Sequence, residues 1–226
     1  MMSMTPVRVF TVEREYGSRG GEFAHDLAAH LGWRLLDAEL VKAVADEVGV
    51  SAECAAQYDE RLDPWYYRFG KVFWPESPYA LMGQPEGATV NAESMMAVFR
   101  DKILSAAAVG NCVIVGRGAA CALVGMRACF HIFVYSTHTA KREWFLRTSP
   151  GQAQHADQQI AAQDKRRAAA IRALYDQDWS CRSLYHMQIN SGIGIPAMIA
   201  SAEAAAGLTL EGQHTNVEEC SPPHNL

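Results

Sequence analysis

The chain has 226 residues, of which 49% are hydrophobic, and this is enough to bury the core of one domain. Its formal net charge of -5 argues against a general nucleic-acid or membrane-surface binder, since both partners are anionic, although a small anionic ligand needs only a local cluster of cations. We expect a cytoplasmic protein, because the N-terminal sequence lacks the pattern of a signal peptide and no apolar run approaches the ~20 residues of a membrane span.

The first residues predict two strands and a helix around a glycine-rich turn. The apolar, β-branched run over residues 7–12 predicts a strand that is buried on both faces, as in a parallel sheet. Apolar residues then recur at helical spacing from Phe23 to Leu31, and Gly32 provides a helix stop. A second strand is predicted over residues 33–37, with helices over 38–48 and 51–58.

The composition changes over residues 61–90, where four of the nine prolines fall and no clean period appears. We predict an irregular insertion there. Beyond it, apolar patterns predict three strands, within 111–115, 129–136 and 186–191, and four helices, over 91–109, 138–147, 152–175 and 195–206. Residues 207–226 are predicted to form a disordered tail.

Strands that alternate with helices predict an α/β fold with a doubly wound, parallel, five-stranded sheet and helices on both of its faces. We predict one domain over residues 1–206. In such sheets, ligands bind beyond the carboxyl ends of the strands. Three polar features fall there, namely the glycine-rich turn after the first strand, Asp37 after the second and Gly116-Arg117-Gly118 after the third.

The glycine-rich turn, EREYGSRGGE over residues 13–22, leads into a helix. Glycines let backbone N–H groups converge on phosphate oxygens, and the N-terminus of a helix carries partial positive charge. The usual phosphate loop has the pattern GxxxxGK followed by Ser or Thr, and this turn does not match it. A phosphate loop and a purely structural turn therefore both stay open on composition alone.

Five segments occur in a fixed order between Val7 and Ala205, namely REYGSRGG, LDAELV, VIVGRGA, a DKRR helix and DWSCRSLYHMQINSGIGI. Together they resemble the cytidylate kinase-like family. The resemblance implies a P-loop kinase fold with a helical lid over residues 150–176 and an insertion over 61–90 on the acceptor side. It also implies ATP and Mg²⁺ as cofactors, small-molecule nucleotides as partners, and phosphoryl transfer to a nucleoside monophosphate such as CMP or dCMP.

The glycine-rich turn departs from that family's pattern at two positions. Where the family has REYGSGGRE, this chain has REYGSRGGE, so that Arg19 replaces a glycine and Gly21 replaces an arginine. The missing cation is the one that contacts the β- and γ-phosphates in monophosphate kinases, and no lysine precedes Lys42. Either Arg19 makes the phosphate contacts of the missing cation, since a guanidinium binds phosphate bidentately, or it is a surface arginine. The resemblance implies that ATP phosphates bind along Gly17, Ser18, Arg19, Gly20 and Gly21.

Residues 141–182 hold eight of the twenty basic residues of the chain. The resemblance marks Asp164, Lys165 and Arg167, with Arg166 between them, as the lid motif that closes over the phosphates. It implies that Lys165 and Arg167 act in catalysis together with Arg19. A solvated helix face with ordinary salt bridges is the alternative explanation.

Two residues at strand ends are candidates for binding the acceptor. Arg117 lies between two glycines after a buried strand, and the related monophosphate kinases have a Gly-Arg-Asp there that holds the acceptor phosphate. A structural ion pair is the alternative for Arg117. Asp37 is placed to meet the acceptor nucleotide or a hydrated Mg²⁺, or else to cap the following helix.

The histidines and cysteines show no metal-ligand spacing, so that no metal site is predicted by motif. We interpret the six cysteines as reduced thiols and His131 as a core or sheet histidine. Two functions stay open, neither of which involves a nucleic acid polymer or a membrane. One is a nucleoside monophosphate kinase; the other is a nucleotide-binding protein of the same fold with little or no kinase activity, which the missing cation of the turn suggests.

Overall fold

The computed structural model describes residues 6–37 and 92–208, with side chains from residue 98 onward in the second range. The predicted helices over 38–48 and 51–58, the insertion over 61–90 and the tail beyond residue 208 lie outside the described residues. The chain divides into two compact units, one made of residues 1–36 and 104–226 and the other of residues 37–103. The first, which we call the sheet unit, contains every candidate site residue except Asp37.

The sheet unit is built on a five-stranded, fully parallel sheet with the strand order β2-β3-β1-β4-β5. This confirms the predicted α/β fold with a doubly wound sheet. The strands are β1 Val9–Arg14, β2 Arg34–Leu36, β3 Cys112–Val115, β4 Cys129–Tyr135 and β5 Met187–Asn190.

The described residues contain the helices predicted for these ranges and one short helix, Ala119–Ala122, that was not predicted. They are α1 Gly20–Leu31, α2 Ala92–Val109, α3 Ala119–Ala122, α4 His138–Thr148, α5 Ala156–Tyr175 and α6 Ile195–Ala205, with 3₁₀ turns at Pro150–His155, Arg182–Leu184 and Ser191–Ile193. No helix within 6–37 or 92–208 combines the length and apolar character that a membrane crossing requires.

Strand β1 ends two residues later than its apolar run. Its pairing with β4 continues through Glu13, opposite Phe133, and Arg14, opposite Val134. Main-chain hydrogen bonding to a neighbouring strand does not depend on apolar side chains, so the ladder extends past the hydrophobic pattern. As a result, two charged side chains stand on the last residues of the central strand.

Helices cover both faces of this sheet. The side chains of a strand alternate between the two faces, so that the strands contribute to a buried cluster on each side. On one face, Phe10 and Val12 of β1 pack in a buried cluster with Phe23 and Leu27 of α1 and Met198 of α6. The opposite face has a second cluster, in which Phe133 of β4 meets Ala120, Ile171, Trp179, Leu184 and Tyr185. The central strand is therefore enclosed, and its carboxyl end is where the glycine-rich turn begins.

Histidine 131 lies inside the sheet, as predicted. It is 3% exposed in β4, its Nδ1 is 2.8 Å from Thr11 Oγ1, and its backbone N–H donates to His186 Nδ1 at 2.9 Å. Burial lowers the pKa of His131 from 6.5 to about 3, and the neighbouring His186 acts in the same direction. The imidazole is therefore neutral in the folded chain at neutral pH.

The folded chain is expected to lose stability in mild acid because of this histidine. The unfolded chain binds the proton first as the pH falls, so the contribution of His131 is complete above pH 6.5 and is lost progressively toward pH 3. One such group gives a slope of up to about 1.4 kcal/mol per pH unit. Urea unfolding at pH 5 to 7 should show a shallower pH dependence for His131→Asn than for the wild type. The exposed His25→Asn should keep the wild-type slope, and parallel curves for all three chains would contradict the assignment.

The four cysteines of the described residues form no disulfide: Cys112 and Cys129 are buried, and Cys121 and Cys181 are partly buried. Burial raises the pKa of Cys121 and of Cys129 to about 12. These thiols are protonated and unreactive at neutral pH. Cys112 and Cys129 lie in the core, and the reduced state of the six cysteines stays a prediction.

Candidate functional site

The glycine-rich turn reverses the chain between β1 and α1 with two residues in the left-handed region. Gly17 has φ +77°, and Arg19, the residue before the helix, has φ 62°. Ser18 is fully buried between them, and its hydroxyl donates to the Glu15 carbonyl at 2.8 Å. A left-handed conformation is uncommon for arginine, so the path of the turn is specified by its surroundings. The turn brings the N-terminus of α1, a favourable place for an anion, to the end of the central strand.

Arg19 lies on the exposed side of this turn. Its Nε and Nη2 atoms donate to Glu22 Oε2 at 3.0 and 2.8 Å, and the side chains of Arg19 and Glu22 are 41% and 48% exposed. The hydrogen bond to Glu22 is the main cause that raises the pKa of Arg19. The guanidinium is thus paired along the first turn of α1, and a role in ATP binding would require it to exchange this partner.

Helix α5, which we call the lid helix because the resemblance implies a lid there, contacts the glycine-rich turn through Asp164. Its Oδ1 accepts a 2.6 Å hydrogen bond from the Tyr16 N–H, and its Oδ2 accepts from Lys141 Nζ at 3.0 Å. The Tyr16 ring packs with Phe145 of α4 and Ile160 of α5. One carboxylate therefore ties together the turn, α4 and the lid.

Lys141 lies beside the turn although it is distant in sequence. Its Nζ is 3.0 Å from both Glu15 Oε2 and Asp164 Oδ2, and it is 9% exposed. Its backbone packs so closely on Gly17 that a Cβ there would lie 3.1 Å from the Lys141 carbonyl oxygen. Burial lowers the pKa of Lys141, but the hydrogen bonds to the two carboxylates outweigh this effect and raise it. The sequence predicted no lysine at this turn; the fold supplies one because α4 follows β4, the neighbour of β1.

The side chains of the other three residues of the predicted lid motif point in different directions. Arg167 Nη1 donates to the Arg14 carbonyl at 2.7 Å, and its guanidinium lies 5.9 Å from the centre of the Tyr16 ring. Lys165 is exposed, and Arg166 is partly buried. Asp164 and Arg167 thus meet the turn, whereas Lys165 points into solvent.

The Gly116-Arg117-Gly118 segment makes a left-handed turn at the end of β3, which is strained at Arg117. All three residues are left-handed, with φ values of 68°, 59° and 67°. Tyr175 of the lid helix donates from its hydroxyl to the Arg117 carbonyl at 3.4 Å. A side chain at Gly118 would overlap Tyr175, which explains the glycine. Strain of this kind at a strand's carboxyl end is typical of a ligand-binding segment.

Glu13, which sequence reasoning missed, supports this turn from β1. Its carboxylate is buried and accepts from the Gly118 N–H at 3.1 Å and from Trp179 Nε1 at 3.4 Å. Burial raises the pKa of Glu13, while the charge of Arg14 is the largest of the opposing effects. A signal was present in the sequence, since a Glu-Arg-Glu triplet directly follows an otherwise apolar strand.

Asp37 directly follows β2 and belongs to the second unit, so its contact with an acceptor stays a prediction. Within residues 6–37 and 92–208, no three His, Cys, Asp or Glu side chains are grouped so that they could hold a metal ion.

Comparison with known proteins agrees with this geometry. The sequence model of the cytidylate kinase-like family matches residues 9–193, a range that contains the glycine-rich turn, the Arg117 turn and the lid. The chain belongs to the cytidylate kinase-like family. It is therefore a kinase-like protein of the P-loop class, and the resemblance noted in the sequence is confirmed. No curated protein matches this member of the family in sequence.

Solved structures share the fold at low sequence identity. An uncharacterized protein from Eubacterium ventriosum superposes with a TM-score of 0.61 and 16% identity, over 87% of this chain and 98% of that one. Shikimate kinase from Acinetobacter baumannii gives a TM-score of 0.47 and 16% identity, over 91% and 94% of the two chains. Shikimate kinase from Bacteroides thetaiotaomicron gives 0.49 and 12%, over 88% and 98%. At 16% identity, the similarity to the Eubacterium ventriosum protein shows a shared fold and nothing further.

Proposed function

We propose that this chain is a nucleoside monophosphate kinase that transfers the γ-phosphoryl group of ATP to a nucleoside monophosphate, with CMP or dCMP as the expected acceptor. The observation that carries the proposal is the contact of the lid with the glycine-rich turn. Asp164 and Arg167 bond to the main chain of Tyr16 and Arg14. Lid closure of this kind excludes water and brings cations to the transferring group, which is most of what phosphoryl transfer needs from a protein. The preference for a cytosine base rests on membership of the family.

The residues present fit a bound polyphosphate. Gly17 and Arg19 turn the main chain so that α1 begins at the carboxyl end of β1, and a Cβ at Gly21 would meet no atom within 4 Å, which leaves room over the start of the helix. ATP phosphates would lie along residues 17–21 on backbone N–H groups. Mg²⁺ would be held largely by those phosphates and water, as is usual for this ion. When bound, it neutralises charge that develops on the phosphates.

The acceptor would lie on the neighbouring strand. Because β3 is paired with β1, the Arg117 turn and the glycine-rich turn lie at the same edge of the sheet. Arg117 would hold the acceptor phosphate, with Asp37 as a contact to the acceptor nucleotide. Arg167 would neutralise the charge of the transferring group from the lid. Lys165, which is exposed in this structure, would contribute only after its side chain turns toward the bound phosphates.

A nucleotide-binding protein with little kinase activity is a second candidate, because position 21 carries no cation and Arg19 is paired with Glu22. A coupled assay of ADP formation by the full chain separates the two, with Mg-ATP and a panel of CMP, dCMP, UMP, AMP and GMP. We expect acceptor-dependent turnover that is highest with CMP or dCMP. Binding of ATP without turnover would favour the second candidate, and failure to bind any nucleotide would reject both.

In the same assay, Arg117→Ala is expected to raise the KM of the acceptor about tenfold to a hundredfold, the scale of a lost charge-assisted contact. The KM of ATP should change little, because Arg117 lies on β3 and not on the glycine-rich turn. Arg127→Ala, which removes an exposed arginine ahead of β4, provides the matched control. A normal acceptor profile for Arg117→Ala would refute the assignment.

A further inference from the structure

The glycine-rich turn lacks a cation at position 21, yet a loop that binds the terminal phosphates of a nucleotide needs positive charge close to the transferring group. Arg19 is directed to Glu22 on the exposed side of α1. Lys141 lies between the carboxylates of Glu15 and Asp164, each at 3.0 Å. Both side chains are therefore held by carboxylates. A third basic side chain, that of Arg14, stands at the end of β1, and its charge acts on the buried carboxylate of Glu13.

The stem of Arg14 fills the space beneath the start of α1. Arg14 is the last residue of β1, and a Cβ built on Gly20 would lie 2.5 Å from Arg14 Cβ and 3.0 Å from Arg14 Cγ. No side chain therefore fits at position 20, because the nearest atom, Arg14 Cβ, is fixed by the backbone of β1. The glycine directly before position 21 is required because another residue's side chain already occupies that space.

The guanidinium of Arg14 ends at the neighbouring strand. A Cβ built on Gly116, the first residue after β3, would overlap Arg14 Nη1 and lie 3.4 Å from Arg14 Cζ. Gly116 directly precedes Arg117, the candidate for the acceptor phosphate. The Arg14 side chain thus runs from the glycine-rich turn to the Arg117 turn, between the place expected for the donor and the place expected for the acceptor.

Two main-chain contacts fix the start of this side chain. The Arg14 carbonyl accepts the hydrogen bond from Arg167 of the lid, and Arg14 is paired with Val134 of β4 in the sheet. An arginine that leaves a rigid strand loses less rotational freedom on binding an anion than one in a loop does, and its planar donors suit two phosphate oxygens. Lid closure and the position of Arg14 are therefore linked through one carbonyl group.

We infer that Arg14 is the phosphate-binding cation of this chain, taking the place of the basic residue that the glycine-rich turn lacks. The inference rests on the proposed function, since it names the residue that would contact the terminal phosphates of the bound nucleotide. It requires no metal, and it gives Gly20 and Gly116 a common role as the two positions that leave room for one arginine.

The test uses the full chain and measures binding of tripolyphosphate, ATP, ADP and AMP by calorimetry to the wild type and to Arg14→Met, which keeps a long stem and removes the charge. We expect tripolyphosphate, ATP and ADP to bind about tenfold to a hundredfold more weakly, with AMP affected much less. Arg14→Lys should recover part of the loss. Arg8→Met, at the opposite end of β1, where the side chain bonds to the Val109 carbonyl, should match the wild type.

The outcomes separate this inference from the proposed function. If the wild type binds polyphosphate and Arg14→Met binds it equally well, the inference is wrong while the proposed function stands; the same follows if Arg19→Met causes the loss instead. If all four ligands weaken together and the Tm of Arg14→Met falls, the role of Arg14 is structural and the inference is overturned. If the wild type binds none of the four ligands, both proposals fail.

Discussion

Replacing Lys141 by methionine is expected to lower the free energy of unfolding by about 2 to 3 kcal/mol, because Glu15 and Asp164 then face each other without their shared cation. The side chains of these two carboxylates are 26% and 19% exposed, so water relieves part of the penalty that a fully buried pair would carry. For a chain of this length, the Tm should fall by about 4 to 12 °C. Thermal and urea unfolding of the variant measure the effect directly.

Arg142→Met is the matched control for this prediction. It removes the same charge from the next residue of α4, but the Arg142 side chain is 48% exposed and lies 3.5 Å from Asp157 on the surface, so the loss should be below about 1 kcal/mol. Lys141→Arg should retain most of the stability. Equal losses for Lys141→Met and Arg142→Met would show that the buried position adds nothing. Because the hydrogen bonds raise the pKa of Lys141, its contribution is complete below pH 10.5 and is lost only at higher pH.

The order and type of the described elements could be predicted from the sequence because the signals are local. The apolar, β-branched run before the glycine-rich turn marks a buried central strand, and helical spacing from Phe23 to Leu31 marks α1, which ends at Gly32 as expected. Because ligands bind beyond the carboxyl ends of parallel strands, the glycine-rich turn and Arg117 were both expected at that edge of the sheet. Each of these inferences needs only residues that are neighbours in sequence.

The contacts within the candidate site could not be predicted, since they join residues far apart in the chain. Tyr16 and Asp164 are separated by 148 positions, and their hydrogen bond depends on how α4 and α5 cross the end of β1. The direction of Arg19 could likewise not be predicted, because it depends on the left-handed backbone at this residue and on the pairing of its side chain with Glu22. The path of the Arg14 side chain could not be predicted either, because it passes Gly20 and Gly116, and glycines leave no pattern of their own in a sequence.

Replacing either of the adjacent glycines at the start of α1 by alanine is expected to change the free energy of unfolding, with a decrease for Gly20→Ala and an increase for Gly21→Ala. In Gly20→Ala the new Cβ would lie 2.5 Å from Arg14 Cβ and 3.2 Å from Val134 Cβ, neither of which is the flexible end of a side chain. Overpacking of this kind costs about 1 to 3 kcal/mol. In Gly21→Ala the Cβ would meet no atom within 4 Å, and the loss of unfolded-state entropy should stabilise the chain by about 0.5 kcal/mol.

Urea unfolding of the two variants tests this contrast with a single methyl group moved by one residue. Two further results tie the effect to Arg14. The cost of Gly20→Ala should shrink in an Arg14→Gly background, where the Cβ that it would strike is absent. Gly20→Ala should also weaken tripolyphosphate binding, because the two Cβ atoms can separate only if the backbones of α1 and β1 shift, which displaces Arg14. If Gly20→Ala is tolerated as well as Gly21→Ala, the stem of Arg14 does not fill the space beneath Gly20, and the reason for a glycine at position 20 lies elsewhere.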